Sequence, residues 1–242
     1  MSNVLFHTSG AQKVTNMWPT LHALADEGAL YIVSTVDVSA TKAAGTPIVT
    51  TTSVVDDAAT ASATHAQNVP VLYLANTAPV TDSDAKSIYP LWMKFVLTQV
   101  PTSATHWSYA IRGDFTSRYT SGGSRLNPIN VNLGSAQTSQ ALCYFGAVVT
   151  ALPSGSQRVL ASGQVQSTIP VTKDEWVFTF GDYGMPTSMI TTAATVKRLT
   201  IPNGPIVLSP GTNITLEMWG TANAAAPTWE FEMGFAERIT GL

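Results

Sequence analysis

Charged residues are scarce in this chain of 242 residues. Asp, Glu, Lys and Arg together make up 11% of the sequence, less than half of the roughly 25% that is usual in soluble domains. The hydrophobic share of 45% is ordinary, so Thr, Ser, Ala, Asn and Gln take the place of the missing charge. We expect a largely neutral, weakly hydrated surface, which suits permanent contact with other protein.

Clustered positive charge is also missing. The net charge is −3, and the densest basic feature is the pair Lys197-Arg198. A protein that neutralises nucleic-acid phosphates needs several clustered cations, so the sequence disfavours direct nucleic-acid contact. Apolar runs fall short of the ~20 residues of a membrane span, and the N-terminus lacks the pattern of a signal peptide. We therefore expect a soluble protein made in a reducing cytoplasm, with no membrane partner.

Motifs that carry chemistry are absent as well. The one cysteine, Cys143, lies in the apolar run "ALCYFGAVV", where a small buried hydrophobic residue is the simplest interpretation. The histidines at positions 7, 22, 65 and 106 do not have the spacing of a metal motif. Signatures of nucleotide binding and of serine hydrolases are missing too. The sequence predicts no metal site, no cofactor and no enzymatic activity.

Alternation of apolar and polar residues predicts strands along most of the chain. About ten such runs follow one another at short spacing, separated by turn residues such as Asn203-Gly204-Pro205. This pattern predicts an all-β fold, with residues 29–242 forming one antiparallel β-sandwich.

Residues 1–28 have too few apolar side chains for a core of their own, and we interpret them as an N-terminal arm. Within the arm, "TNMWPTLHALADEG" predicts one short helix that Gly28 ends. Trp18, Leu21 and Leu24 share one face of this helix. That face is expected to dock on the same subunit or on a neighbour.

The run "WEFEMGF" contains two glutamates in a strand that is otherwise apolar. Glu230 and Glu232 lie on one face, about 7 Å apart, because side chains alternate along a strand. That spacing is within the ~5–9.5 Å of glycosidase carboxylate pairs, but acid/base catalysis also needs different surroundings for the two groups. The pattern therefore favours a face toward solvent or a partner. The opposite, core-facing side carries Trp229, Phe231, Met233 and Phe235.

The run before it, "TNITLEMWG", alternates in the same way, with Glu217 and Trp219 on the face opposite the apolar one. If the two runs pair as a hairpin, Glu217 joins Glu230 and Glu232 in an acidic patch that could bind a cation. An exposed Trp219 beside it would mark a carbohydrate or subunit contact.

Residues 126–182 resemble a stretch of the structural proteins of tailed bacteriophages. There, a loop of the type Pro-x-Asn-x-Asn-x-Gly-Ser leads into a long hairpin and then into an "IPV…D…FTFGD" strand pair. The matching residues are Asn127, Pro128, Asn130, Asn132, Gly134, Ser135, Ile169, Pro170, Val171, Asp174, Phe180, Gly181 and Asp182.

The resemblance implies a jelly-roll sandwich and a non-enzymatic virion protein. Because the arm contains Lys13 as its only Lys or Arg, we expect a position on protein rather than along the genome. The implied function is that of a decoration (cement) protein on the capsid surface, which forms a homotrimer and binds the major capsid protein. The candidate contacts are Trp18, Leu21, Leu24, Glu217, Trp219, Glu230 and Glu232.

Two alternatives remain open from the sequence. The chain could be a jelly-roll coat protein that forms the shell itself. It could also be a carbohydrate-binding or glycan-active tail module that uses Glu217, Glu230, Glu232 and Trp219.

Overall fold

The computed structural model of the chain describes residues 4–6, 12–14, 20–35, 46–47, 70–81, 84–99, 106–146, 148–149, 158–166, 173–181, 198–220 and 228–239. One helix lies in this part of the chain, α1 (Thr20–Asp26). The strands, in chain order, are β1 (Val4–Phe6), β2 (Gln12–Val14), β3 (Leu30–Ser34), β4 (Thr46–Pro47), β5 (Leu72–Asn76), β6 (Lys86–Gln99), β7 (His106–Asp114), β8 (Tyr119–Ser121), β9 (Ser124–Leu126), β10 (Ile129–Asn130), β11 (Ala141–Phe145), β12 (Val148–Val149), β13 (Arg158–Gln166), β14 (Glu175–Phe180), β15 (Arg198–Asn203), β16 (Asn213–Gly220) and β17 (Thr228–Ile239).

Two large sheets contain most of these strands. The first sheet has the order β10-β3-β17-β6-β14-β15, with β4 also paired to β17, and the second has the order β13-β7-β16-β5-β11-β9. Neighbouring strands in both sheets are antiparallel, apart from the parallel pair β14 and β15. The all-β class predicted from the sequence is confirmed.

Eight strands form four antiparallel pairs that are nested in the chain: β3 with β17, β5 with β16, β6 with β14 and β7 with β13. The predicted hairpin of β16 and β17 is therefore wrong, because these strands belong to different sheets. The long hairpin that the phage resemblance implied is also wrong. In the described residues β11 pairs with β5 and β9, whereas β13 pairs with β7.

The two sheets pack face to face around an aromatic core. Tyr109 of the second sheet and Phe178 of the first have ring centroids 5.0 Å apart, and Phe145 and Phe231 are 5.4 Å apart. Burial of each such side chain contributes about 1.5–3 kcal/mol. The inward side chains of β17 are fully buried, as predicted, namely Trp229, Phe231, Met233 and Phe235.

Cys143 also faces this core and is fully buried. Burial raises the pKa of its thiol far above the ordinary value, which confirms the interpretation of Cys143 as a small hydrophobic residue.

Helix α1 packs on the outer face of the first sheet. Leu24 is buried there and Leu21 is partly buried, so these two predicted contact residues cover their own subunit. Gly28 has a φ of +66°, which few residues other than glycine adopt readily, and it follows the helix end as predicted. Trp18 lies outside the described residues. Helix α1 and the outer face of the first sheet share a cluster of buried side chains that is separate from the core between the sheets. Its members are Leu24, Ala29, Leu30, Leu91, Trp92 and Ala236.

The indole of Trp92 lies directly on Gly234, beneath this helix-side cluster. A Cβ atom at position 234 would lie 2.2 Å from the ring, well inside van der Waals contact. The glycine in "WEFEMGF" therefore has no room for a side chain, because the ring of Trp92 from the neighbouring strand β6 occupies that space on β17.

We predict that Gly234→Ala lowers the free energy of unfolding by about 1–3 kcal/mol, since the ring or the strand must shift. Urea titration followed by tryptophan fluorescence measures the change. Gly204→Ala is the matched control, because a Cβ atom there meets nothing within 4 Å; its effect should stay within about 0.5 kcal/mol. Equal effects of the two substitutions would contradict the contact between Trp92 and Gly234.

Candidate functional site

The three predicted acidic contacts do not form one surface. Glu230 and Glu232 lie on the outer face of the first sheet and are partly exposed, and the Oε1 atom of Glu232 is 3.2 Å from the Nζ atom of Lys94. Glu217 lies in the second sheet. The predicted acidic patch of all three carboxylates is therefore wrong. The side chain of Trp219 lies outside the described part of the chain.

Glu217 is instead buried in a cluster of paired charges. Its Oε2 atom is 2.9 Å from the Nε atom of Arg112, and the Nε atom of Arg118 is 3.1 Å from the Oδ2 atom of Asp114. The side chain of Glu217 is 2% exposed. Burial lowers the pKa of Arg118, and the carboxylates of Asp114 and Glu217 oppose that shift. The cluster therefore contains two positive and two negative side chains, each paired with one of opposite charge.

Segment 115–121 supplies Arg118 to this cluster and is attached to the second sheet. Asn213 donates a side-chain hydrogen bond to the carbonyl of Thr116, and the rings of Tyr119 and Tyr144 stack at a centroid distance of 4.2 Å. The segment thus covers the outer face of the second sheet, where alternation alone would leave polar side chains in water. A strand pattern identifies which residues share a face, but it does not identify a loop that covers that face.

An open cavity of about 490 Å³ lies at one end of the second sheet, where β5 and β7 end and where β13 and β16 begin. Val80 is 78% exposed beside it. The guanidinium carbon of Arg158 lies 4.5 Å from the ring centroid of Phe115, a cation–π contact at the rim. We call this cavity the apolar groove; its apolar lining includes Val80, Phe115, Leu160, Ile206, Val207 and Pro210.

Three alternating apolar side chains project from β10 and the loop that follows it. Leu133 is 92% exposed, and Ile129 and Val131 are exposed as well. We call these three residues the apolar ridge. Exposed apolar residues on a monomer mostly occur singly, so three within one segment are unusual.

The polar side chains between and beyond the ridge residues hold the loop on helix α1. Asn130, Asn132 and Gln137 donate side-chain hydrogen bonds of 2.8, 3.2 and 3.2 Å to the main-chain carbonyls of residues 26–28. The carbonyls at a helix C-terminus have no partners within the helix, so these amides satisfy them. Asn130 and Asn132 also accept main-chain N–H bonds two residues further on, as in Asx turns. The ridge is therefore presented by a preorganised loop.

The buried carboxylate of Glu237 holds the C-terminal end of this loop, at Ser139 and Gln140. It is 1% exposed and accepts hydrogen bonds from the Ser139 hydroxyl and the Gln140 main-chain N–H. Burial raises its pKa, and the bonds from Ser139 and Gln140 oppose the shift. Glu237 continues the inward alternation that ends at Phe235, but it is not among the residues predicted from the sequence.

No protein-family model, curated protein or solved structure matches this chain. Among the residues that the structure describes, no group of three or more His, Cys, Asp or Glu side chains could hold a metal ion. Within the same residues, no helix is long and apolar enough to cross a bilayer.

We predict that Glu217→Gln lowers the free energy of unfolding by about 3–5 kcal/mol, because it leaves the charge of Arg112 without its buried carboxylate. Glu232→Gln is the matched control. It removes a carboxylate from the half-exposed pair with Lys94 and should cost less than about 1 kcal/mol. Urea titration of both variants tests the difference, and a similar loss in both would contradict a buried ion pair at Glu217.

Glu237 should also make stability depend on pH. Because its pKa lies above 4.5 in the folded protein, the folded state binds more protons than the unfolded state in the window that begins near 4.5. The contribution of Glu237 to the free energy of unfolding therefore falls as pH rises through that window. Glu237→Gln removes this titration, so its stability should improve relative to wild type with rising pH. A difference that stays constant across a pH series of urea titrations would contradict this assignment.

Proposed function

We propose that this chain is a non-enzymatic structural protein of a bacteriophage virion, which self-associates and decorates the capsid. The observation that carries the proposal is the gathering of exposed apolar side chains into two surfaces. Of the nine large hydrophobic residues exposed among those described, three form the apolar ridge and four line the apolar groove. A monomer exposes such residues mostly singly, whereas contiguous patches mark contacts with partners.

The nested strand pairs support a jelly-roll topology. When a long antiparallel hairpin rolls up, its first strand pairs with its last, its second with the one before the last, and so on. The pairs β3 with β17, β5 with β16, β6 with β14 and β7 with β13 follow this order. Jelly rolls occur in viral capsid proteins, lectin domains and cupins, so topology agrees with a virion role without requiring one.

The phage resemblance supports the virion assignment through the residues that carry it. Asn130 and Asn132 belong to the matching loop, and they hold the ridge on helix α1. The scarcity of charge across the chain also suits a surface that stays in contact with protein. Because Lys13 is the only Lys or Arg of residues 1–28, the proposed position is on the capsid surface, against the major capsid protein, rather than along the genome.

A second candidate is a jelly-roll coat protein that forms the shell itself. It is favoured by the presence of both a ridge and a groove on one subunit, which allows subunits to tile. The glycan-active alternative would use the carboxylates of Glu217, Glu230 and Glu232 together. Glu217 does not join the other two, because it pairs with Arg112 in the second sheet.

We predict that the purified protein is a stable, discrete oligomer at micromolar concentration, as measured by sedimentation velocity and light scattering, and that it binds capsids stripped of it. Closed shells in electron micrographs of the protein alone would favour the coat-protein candidate instead. A monomer without affinity for capsids would overturn the proposed function.

A further inference from the structure

Asn203 is the only asparagine in the chain that is followed by glycine. Every other asparagine precedes a residue with a side chain, which hinders approach of the next main-chain nitrogen to the asparagine amide. Asn203 ends strand β15, and Gly204 begins the exposed connection to β16. A Cβ atom at position 204 would meet nothing within 4 Å, so the space around this peptide bond is open.

The reaction open to an Asn-Gly pair is loss of the side-chain amide nitrogen. The main-chain nitrogen of Gly204 gives its proton to water and bonds to the Cγ atom of Asn203. The Cγ–Nδ2 bond then breaks, and ammonia leaves a five-membered succinimide ring. Water opens this ring at either carbonyl, which yields aspartate or isoaspartate; the isoaspartate main chain is longer by one methylene group. In total, one amide and one water become one carboxylic acid and one ammonia, without oxidation or reduction.

The folded chain holds the Asn203 side chain away from this reaction. Its Nδ2 atom donates to the carbonyl of Ile201 at 3.0 Å and to that of Thr179, on the neighbouring strand β14, at 3.4 Å. The carbonyl of Asn203 accepts the main-chain N–H of Gly181 at 3.0 Å, which keeps residue 203 in the strand ladder. A planar ring between residues 203 and 204 needs a main-chain torsion outside the extended range of a strand. Attack therefore requires this end of β15 to open first.

We infer that Asn203 is a site of spontaneous deamidation, which the folded end of β15 protects and which, once converted, keeps that end open. The product carries a carboxylate where the amide was a donor. Its oxygens cannot donate to the carbonyls of Thr179 and Ile201, so both hydrogen bonds are lost and the oxygens repel one another. The inference does not depend on the proposed function, because the reaction needs only water.

The loosened segment has a defined limit at Leu208. The main-chain N–H and carbonyl of Leu208 are hydrogen-bonded to those of Ile88 in β6, at 2.8 and 2.9 Å. Residues 204–207 lie between this attachment and Asn203, and Ile206 and Val207 line the apolar groove. Conversion of Asn203 should therefore loosen one wall of the groove and leave β16 in place.

Timed incubation of the full chain at mildly alkaline pH, folded and in guanidinium chloride, tests the site. Peptide mass spectrometry with isoaspartate detection follows each asparagine. In the denatured chain Asn203 should convert before any other asparagine. In the folded chain it should convert about tenfold more slowly, which is the retardation that two hydrogen bonds of ordinary net strength provide.

Gly204→Ala is the matched control. It keeps the Asn203 amide and both of its hydrogen bonds, and the added methyl group has room. Because this methyl group hinders the main-chain nitrogen, the variant should convert far more slowly than wild type even in denaturant.

Asn203→Asp reproduces one product and tests the release of β15. Hydrogen exchange at the Gly181 main-chain N–H, which donates to residue 203, should be about tenfold faster than in wild type, since local opening becomes easier. Exchange at the Leu208 N–H should stay unchanged, which also shows that the variant is folded.

Three outcomes would contradict the inference. Another asparagine converting first in the denatured chain would overturn the site itself. Equal rates in the folded and denatured chains would overturn protection by β15. Wild-type exchange at Gly181 in Asn203→Asp would overturn the release of the strand end.

Discussion

Strand β17 lies between β3 and β6 in the first sheet, and its inward side chains fill the space between the two sheets. Phe231 contacts Phe95 of its own sheet and Phe145 of the second sheet, with ring centroids 5.0 and 5.4 Å apart. Because the inward face is fully buried, β17 cannot slip by one residue without exposing four large side chains. The rest of the strand depends on this register. It places Gly234 under Trp92 and Glu237 against the loop that carries the ridge.

The few charges of the chain are partly drawn inward. Arg112 pairs with Glu217, and Arg118 of segment 115–121 pairs with Asp114, while Glu237 is buried at the end of β17. The sequence contains few charged residues, and these five are largely buried, which leaves even fewer of them on the surface. Apolar side chains that remain exposed, such as those of the ridge and the groove, are correspondingly less interrupted by hydrated groups, which favours durable contact with protein.

The alternation of side chains along residues 129–133 both forms the apolar ridge and provides hydrogen bonds to the end of helix α1. Asn130 and Asn132 turn toward the C-terminus of helix α1, so Ile129, Val131 and Leu133 must turn outward. The amide bonds satisfy helix carbonyls that would otherwise need water, and they fix the apolar side chains before any partner arrives. A preorganised contact loses less conformational entropy on binding than a flexible loop does.

Features that depend on neighbouring residues along the chain could be predicted from the sequence. The all-β class, the inward face of "WEFEMGF", the burial of Cys143 and the role of Gly28 after the helix all follow from alternation, hydrophobicity or backbone conformation. Strand pairing, by contrast, could not be predicted from the sequence, because many runs of similar pattern compete and one partner of β3, strand β17, is about two hundred residues away. Only the tertiary structure decided that Glu217 is buried beside Arg112, that amides of one loop complete helix α1, and that the exposed apolar residues gather into a ridge and a groove. The alternation of apolar and polar residues predicts which side chains share a face of a strand. The packing of the folded chain determines what lies against that face.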